Sequence, residues 1–202
     1  MEEQIINMPA VALRGLTILP GMIAHFDVSR ERSLRAVEEA MEQDQKIYLV
    51  TQRNVDREDP TQEDLYRMGI VADIKQVVRL QNDVVRILVD GISRAALLGF
   101  TGCEKYLEAE ICYCDSNADS LPEDLREAML LGVREAFHRY AAVVGKISKE
   151  LIRQIDQYED LEKLIDYVTN NLPVSYELKQ QVLEAYLLAQ EAVRPTPTCM
   201  AL

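Results

Sequence analysis

Val11 to Val28 reads VALRGLTILPGMIAHFDV. It starts as an apolar strand, Val11–Leu13, turns at Arg14-Gly15, and resumes as an apolar stretch interrupted by Leu19-Pro20-Gly21-Met22. Proline cannot donate to a strand ladder and glycine weakens one, so Ile18–Ile23 is not expected to form a regular central strand. An apolar run that carries turn formers can be a plug over one end of a sheet. The other reading is an exposed loop that holds unfolded polypeptide. In the second case Leu19, Pro20, Met22 and Ile23 are the candidate substrate-binding residues. Desolvating apolar side chains on both partners supplies affinity without reading a sequence, and methionine adapts to varied shapes.

Outward from this stretch the first half of the chain turns often. Six of the 8 glycines precede residue 103, and only Gly132 and Gly145 follow it. Strand-like runs lie at Val11–Leu13, Ile47–Val50, Ile70–Val78, Val84–Val89 and Tyr106–Tyr113, by alternation or by continuous apolar character. Gln81-Asn82-Asp83 sits between two of them as a hairpin turn, since Asn and Asp tolerate a left-handed backbone. In the last run Leu107, Ala109, Ile111 and Tyr113 share one face, while Glu108 and Glu110 share the other. One helix is expected over Glu31–Glu42, with Leu34, Val37 and Met41 at helical spacing and Ser29 as its N-cap. Thr61 and Asp64 can form a carboxylate variant of a capping box.

From Ser120 onward the periodicity is helical. Ser120-Leu121-Pro122-Glu123 is a capping box with proline in the first turn. Leu125, Met129, Val133, Phe137, Tyr140 and Val144 form an apolar stripe that ends at Gly145. Further helices are expected from about Ser148, over about Asp160–Asn170, and from Ser175 to about Val193, with Leu172-Pro173 separating the last two. In the last helix Leu178, Val182, Ala185, Ala189 and Val193 form one stripe. Tyr176, Leu183 and Leu187 form a second and are candidate oligomer-interface residues. The reading is α+β: a β-rich lobe over 1–116 and an α-helical lobe over 117–202 with a short proline-containing tail.

At 202 residues the chain can bury one large core or two small ones. Its 22 basic and 34 acidic residues leave a net charge of −12. The deficit is spread over both halves, and phosphate binding needs Lys and Arg clusters, so the charge opposes nucleic acid and a membrane surface as partners. The start MEEQIINMP lacks the positive residues and apolar core of a secretory signal, and no run approaches the ~20 apolar residues of a spanning helix. A cytoplasmic protein is expected. Cys103, Cys112, Cys114 and Cys199 then fit reduced thiols, and with no C-x-x-C and two distant histidines no metal site is expected.

Chemistry is absent at the level of motif. The Gly145-Lys146 pair has Tyr140 where a phosphate-binding loop needs its first glycine and Ile147 where it needs a hydroxyl. His138, flanked by Arg134, Glu135 and Arg139, reads as a solvated surface histidine, and the Glu38-Glu39-Glu42-Asp44 run as a solvated helix face. No catalytic residue and no cofactor are assigned.

Many weak matches in register carry a resemblance. The Leu13-Arg14 pair is followed by Leu19-Pro20-Gly21-Met22, then by Val28-Ser29-Arg30 entering the helix, and by Ile47–Gln52. Pro60, Asp64-Leu65-Tyr66, Gly69 before Ile70-Val71-Ala72, Gly91, Arg94, the Leu164/Asp166/Val168 pattern and Lys179-Gln180 with Leu183-Glu184 follow in order. In this the chain resembles the N-terminal domain of the Lon protease family, peptidase family S16, over nearly all of residues 8 to 184. His25 replaces the family's usual proline, Ile70 its threonine, and Asn82-Asp83 lacks its glycine. After Glu184 the family continues into a long charged helix, whereas Pro195 and Pro197 would stop a helix here. A stand-alone homologue and a truncated piece both fit.

The resemblance implies a PUA-like pseudobarrel for the β-rich lobe. It also implies a non-catalytic part in ATP-dependent proteolysis and protein quality control. The domain would bind unfolded or damaged proteins and support assembly of a homo-oligomer or of a full-length Lon-like protease. The ATPase and the Ser-Lys peptidase would lie elsewhere. The alternative is a stand-alone PUA-like module for a small ligand or RNA, which a groove lined by Arg14, Arg79 and Arg94 would favour.

Overall fold

Period-two alternation builds six strands: β1 (Ile5–Leu13), β2 (Ile23–Val28), β3 (Lys46–Thr51), β4 (Met68–Arg79), β5 (Val85–Phe100) and β6 (Leu107–Tyr113). They were located in a computed structural model that describes the backbone of residues 5–114 and 121–193 and side chains as far as Ala185. Ser120, Leu187 and Cys199 therefore lie outside the described residues or side chains. The strand order is β2-β5-β4-β3-β1-β6, and β6 also pairs with β5, so five strands close into a ring and β2 lengthens it along the first half of β5. Only β1 and β3 run parallel. Register shifts at Val71/Ala72, Ile74/Gln76 and Leu97/Gly99 mark bulges. Such kinks bend a strand, and β5 serves β2 first and β6 later.

Alternation sends neighbouring residues into different cores. Ala10, Ala12, Tyr48, Val50, Val71, Ala95, Leu97, Ala109 and Ile111 fill the ring. The Tyr48 hydroxyl donates to the Ala95 carbonyl at 3.1 Å, and burial pushes its pKa up. Gly69 is needed beside it, because a Cβ there would lie 2.5 Å from the Tyr48 ring. Val11, Leu13, Ile47, Leu49, Ile70, Ala72, Ile74, Ile87 and Val89 point into a second core. It is capped by α1 (Glu31–Glu42) through Ala36, Val37 and Ala40.

Local signals were met unevenly. Asn82 and Asp83 both have positive φ, 60° and 56°, the left-handed backbone expected of them, and Leu80 N–H donates to the Val84 carbonyl at 2.8 Å, closing the hairpin over Gln81-Asn82-Asp83. Asp64 takes both the N–H and the hydroxyl of Thr61, at 2.9 and 2.8 Å. The expected Ser29 cap is corrected: the N-cap of α1 is Arg30, extended and without a side-chain cap bond.

The chain divides into two compact units, Met1–Cys114 with Val174–Leu202, and Asp115–Pro173. The second unit holds α2 (Glu123–Val144), α3 (Lys149–Gln157) and α4 (Leu161–Asn171) around Leu130, Phe137, Ala141, Ile155, Leu161 and Leu164. Gly145 ends α2 at φ 66°. Ser148 Oγ accepts the Leu151 N–H at 3.1 Å, and Asp160 Oδ1 accepts the Lys163 N–H at 3.0 Å. The expected α2 stripe is only partly the buried one: Phe137 is buried, whereas Leu125, Met129 and Val144 are exposed. Leu130, Phe137 and Ala141 form the buried line instead, since α2 is apolar on two faces and periodicity does not say which one meets a neighbour.

α5 (Tyr176–Val193) departs from a lobe running 117–202, because it groups with the strands. Leu183 is buried in the core beneath α1. Gln180, also buried, donates to the Met68 carbonyl at 2.9 Å and accepts from Thr17 Oγ1 at 3.3 Å.

Candidate functional site

The loop joining β1 to β2 is held by its own backbone. Gly21 N–H donates to the Gly91 carbonyl at 2.8 Å, and Gly91 N–H donates to the Met22 carbonyl at 3.0 Å. A Cβ at Gly91 would sit 2.4 Å from the Leu19 carbonyl oxygen, so only glycine lets the loop approach β5 this closely. Ile18 and Leu19 point inward and are fully buried. Leu19 is therefore removed as a surface contact, because its side chain is in the core. Pro20 and Met22 are half-buried, and Ile23 is 68% exposed.

Ile23 opens β2, which pairs with β5 only and forms the end of the sheet. Alternation turns Ala24, Phe26 and Val28 toward the core, leaving Ile23, His25 and Asp27 on the outer face. By register His25 lies opposite Leu88, Leu88 opposite Gln76, and Arg86 opposite Val78. These residues line a shallow depression of about 290 Å³. Arg86 grips Asp27 through two bonds of 2.7 and 2.9 Å, and those bonds hold the Asp27 carboxyl below its ordinary pKa. The outer face thus mixes apolar Ile23, Leu88 and Val78 with charges that already neutralise each other.

A second cavity, about 160 Å³, lies between the end of β1 and β2. Arg14, Arg30 and Gln52 converge beside it. All three donate to the Arg57 carbonyl, at 3.2, 3.4 and 3.0 Å, and Arg30 also donates to Gln52 Oε1 at 2.7 Å. Sequence reasoning quoted Arg30 and Gln52 only as motif positions, and the Arg30–Gln52 bond is what ties those two motifs together. Arg14, Arg79 and Arg94 do not form the groove that nucleic acid would need. Arg94 is buried opposite Ile70, while Arg79 is exposed nine positions along β4 and paired with Glu38 at 3.5 Å. At ~3.3 Å per residue that separates them by about 30 Å.

The proposed interface residues of α5 are redistributed. Leu183 is spent on its own core, so it is withdrawn as an interface residue. Tyr176 is half-buried with its ring near Gly15. The face left open carries Leu178, 44% exposed, together with Val182 and Ala185. In the helical unit His138 is exposed and bonded to Asp156 at 2.8 Å. Among the described residues no three His, Cys, Asp or Glu side chains are placed to share a metal ion, and no helix is long and apolar enough to cross a membrane.

Comparison with known proteins places this arrangement. A Lon protease of Lachnoclostridium phytofermentans is 37% identical over 194 residues, 96% of this chain and 24% of that protein. One of Clostridioides difficile is 34% identical over 183 residues, 89% of this chain and 23% of its own length. The chain thus spans about a quarter of the curated relatives it matches. The N-terminal domain of Mycobacterium avium complex Lon protease superposes with a TM-score of 0.71 at 17% identity, covering 93% of this chain and 97% of that one, which establishes the shared fold. Residues 7–192 match the model of the ATP-dependent protease La (LON) substrate-binding domain, and the chain belongs to that family.

Proposed function

We propose that this chain is the non-catalytic, substrate-handling part of a cytoplasmic ATP-dependent proteolytic system, binding unfolded or damaged proteins and supporting assembly of the oligomer that degrades them. The observation that carries this reading is the apolar corner of half-buried Pro20 and Met22 and exposed Ile23, which lies at the start of a sheet-edge strand and is continuous with the outer face of β2 and β5. An edge strand beside apolar side chains is a surface on which extended chain can settle. Family membership supports the same reading. Assembly through α5 would use Leu178, Val182 and Ala185, the side chains left outside the core.

The test is binding of a fluorescent, permanently unfolded model protein, with its folded counterpart as control and light scattering to record mass. Preferential binding of the unfolded form, weakened severalfold by Met22→Ser with Ile23→Ser, is expected. Equal binding of the two forms, or a double variant that folds and binds as before, refutes the assignment of this corner.

A further inference from the structure

Two strand edges face each other across a gap. β6 leaves β1 at Ala10, whereas β3 stays paired with β1 as far as Leu13, so Val11–Leu13 has a ladder on one side only. β2 pairs only with β5. The 160 Å³ cavity is lined by consecutive residues of both segments, Val11–Arg14 and Phe26–Arg30, with Leu16 and Ser33. A cavity on a sheet face touches alternate residues, because side chains alternate. Consecutive runs on both walls place this one against backbone edges. β6 seals the ring at one end; at the other the edges of β1 and β2 are unpaired and leave a narrow seam, buried at Val11–Leu13 and Val28 and exposed at its rim of Arg14, Asp27 and Ser29.

The chemistry of the rim is asymmetric. Asp27, its one carboxylate, is neutralised by Arg86. Arg14 and Arg30 meet only neutral oxygens: the Arg57 carbonyl for both, the Glu58 carbonyl for Arg14 at 3.5 Å, and Gln52 Oε1 for Arg30. Among the described residues no carboxylate lies within ion-pair distance of either. In a chain of net charge −12, two such guanidiniums beside an apolar slot form a local site for a negative group.

We propose that this seam is a docking slot for an extended polypeptide segment that carries an acidic side chain. The segment enters from the exposed rim and adds a strand between β1 and β2, its main chain bonding to the two unpaired edges as the seam widens to take it. An apolar side chain lies toward Leu16 and Phe26, and its carboxylate meets Arg14 and Arg30. The inference rests on the substrate-binding reading above and gives it a substrate class: extended, acidic-apolar stretches.

The test uses the whole chain and a fluorescein-labelled decapeptide of alternating valine and threonine with two central glutamates, read by anisotropy. Three comparisons accompany it: the same peptide with lysines for glutamates, the same peptide N-methylated on alternate amides, and the unfolded model protein as competitor. The acidic peptide should bind and should slow amide exchange at Val11–Leu13 and Phe26–Val28. Binding should weaken about tenfold or more for the lysine peptide, for the N-methylated peptide, and for Arg14→Gln with Arg30→Gln. If the unfolded protein binds but the acidic peptide neither binds nor competes, or if N-methylation costs nothing, the seam is overturned and the substrate-binding reading survives. If neither ligand binds, both fall. The peptide comparisons use the unaltered chain, so they decide the matter even if the arginine variant misfolds.

Discussion

Gly91 shows how one residue sets the geometry of the corner. Its missing side chain lets the Leu19 carbonyl come within 2.4 Å of where a Cβ would be, and strand β5 must shift if one is added. Gly91→Ala should destabilise the chain by about 1–3 kcal/mol, the range for overpacking, and lower the urea midpoint; an unchanged midpoint would show that the loop yields freely. Two aspartates, Asp27 exposed and Asp64 half-buried, make a pH prediction. Hydrogen bonds from Arg86 hold Asp27 below its ordinary pKa, and the Thr61 N–H and hydroxyl do the same for Asp64. With folded pKa values below the ~3.9 of an unfolded chain, their stabilisation is complete above that value and is lost as pH falls through the folded values. Thermal melts from pH 2 to 6 should therefore decline less steeply on the acid side for Asp27→Asn with Asp64→Asn than for the unaltered chain. Parallel curves would count against it. The sequence showed the Thr61/Asp64 pairing, which spans three residues. It gave no sign of Asp27–Arg86, a pairing that depends on strand register.

At the scale of elements, α5 separates what periodicity reveals from what it leaves open. Its extent was legible, because Ser175 and the preceding Leu172-Pro173 punctuate it. Its buried face was not, since Leu178 and Leu183 lie on two apolar faces and only a neighbour chooses between them. The choice fell on Leu183, which enters the core beneath α1, and on Gln180, which is bound to Thr17 and Met68. Leu183→Ala should cost about 2–5 kcal/mol as a core truncation, while Leu178→Ala should stay within about 0.5 kcal/mol as a surface change. Chemical denaturation of both variants checks this, and equal effects would mean that the two faces have been confused. β2 was likewise hidden. Its six residues follow Pro20-Gly21, and its status as a strand depends on Val85–Asp90, some sixty positions away.

For the whole molecule, the β-rich unit depends on a segment that returns to it after the helical unit. A chain ended at Cys114 would lose Leu183 from the core and leave the Met68 carbonyl and Thr17 without their Gln180 partner. It should unfold at a markedly lower urea concentration than the full chain and bind an apolar dye. A truncated chain with the full chain's midpoint would show that α5 is only an accessory. The candidate site has the same character: loop, edge strand and arginines come from the β1–β2 connection, the start of α1 and the segment after β3, so no short motif contains it.

The sequence by itself determined what is local and what is cumulative. Alternation marked five of the six strands at least in part, Asn82-Asp83 fixed the hairpin, Gly145, Ser148 and Asp160 bounded the helices, and many weak matches in register identified the family. Each of these signals rests on backbone conformation or spacing within a few residues, which sequence encodes directly. Tertiary structure alone decided that Leu19 and Leu183 are buried, that α5 belongs with the strands, that Arg30 meets Gln52, and that β1 and β2 leave a seam. Those outcomes depend on which distant surfaces meet, and an apolar side chain reads the same in sequence whether it faces a core or a partner.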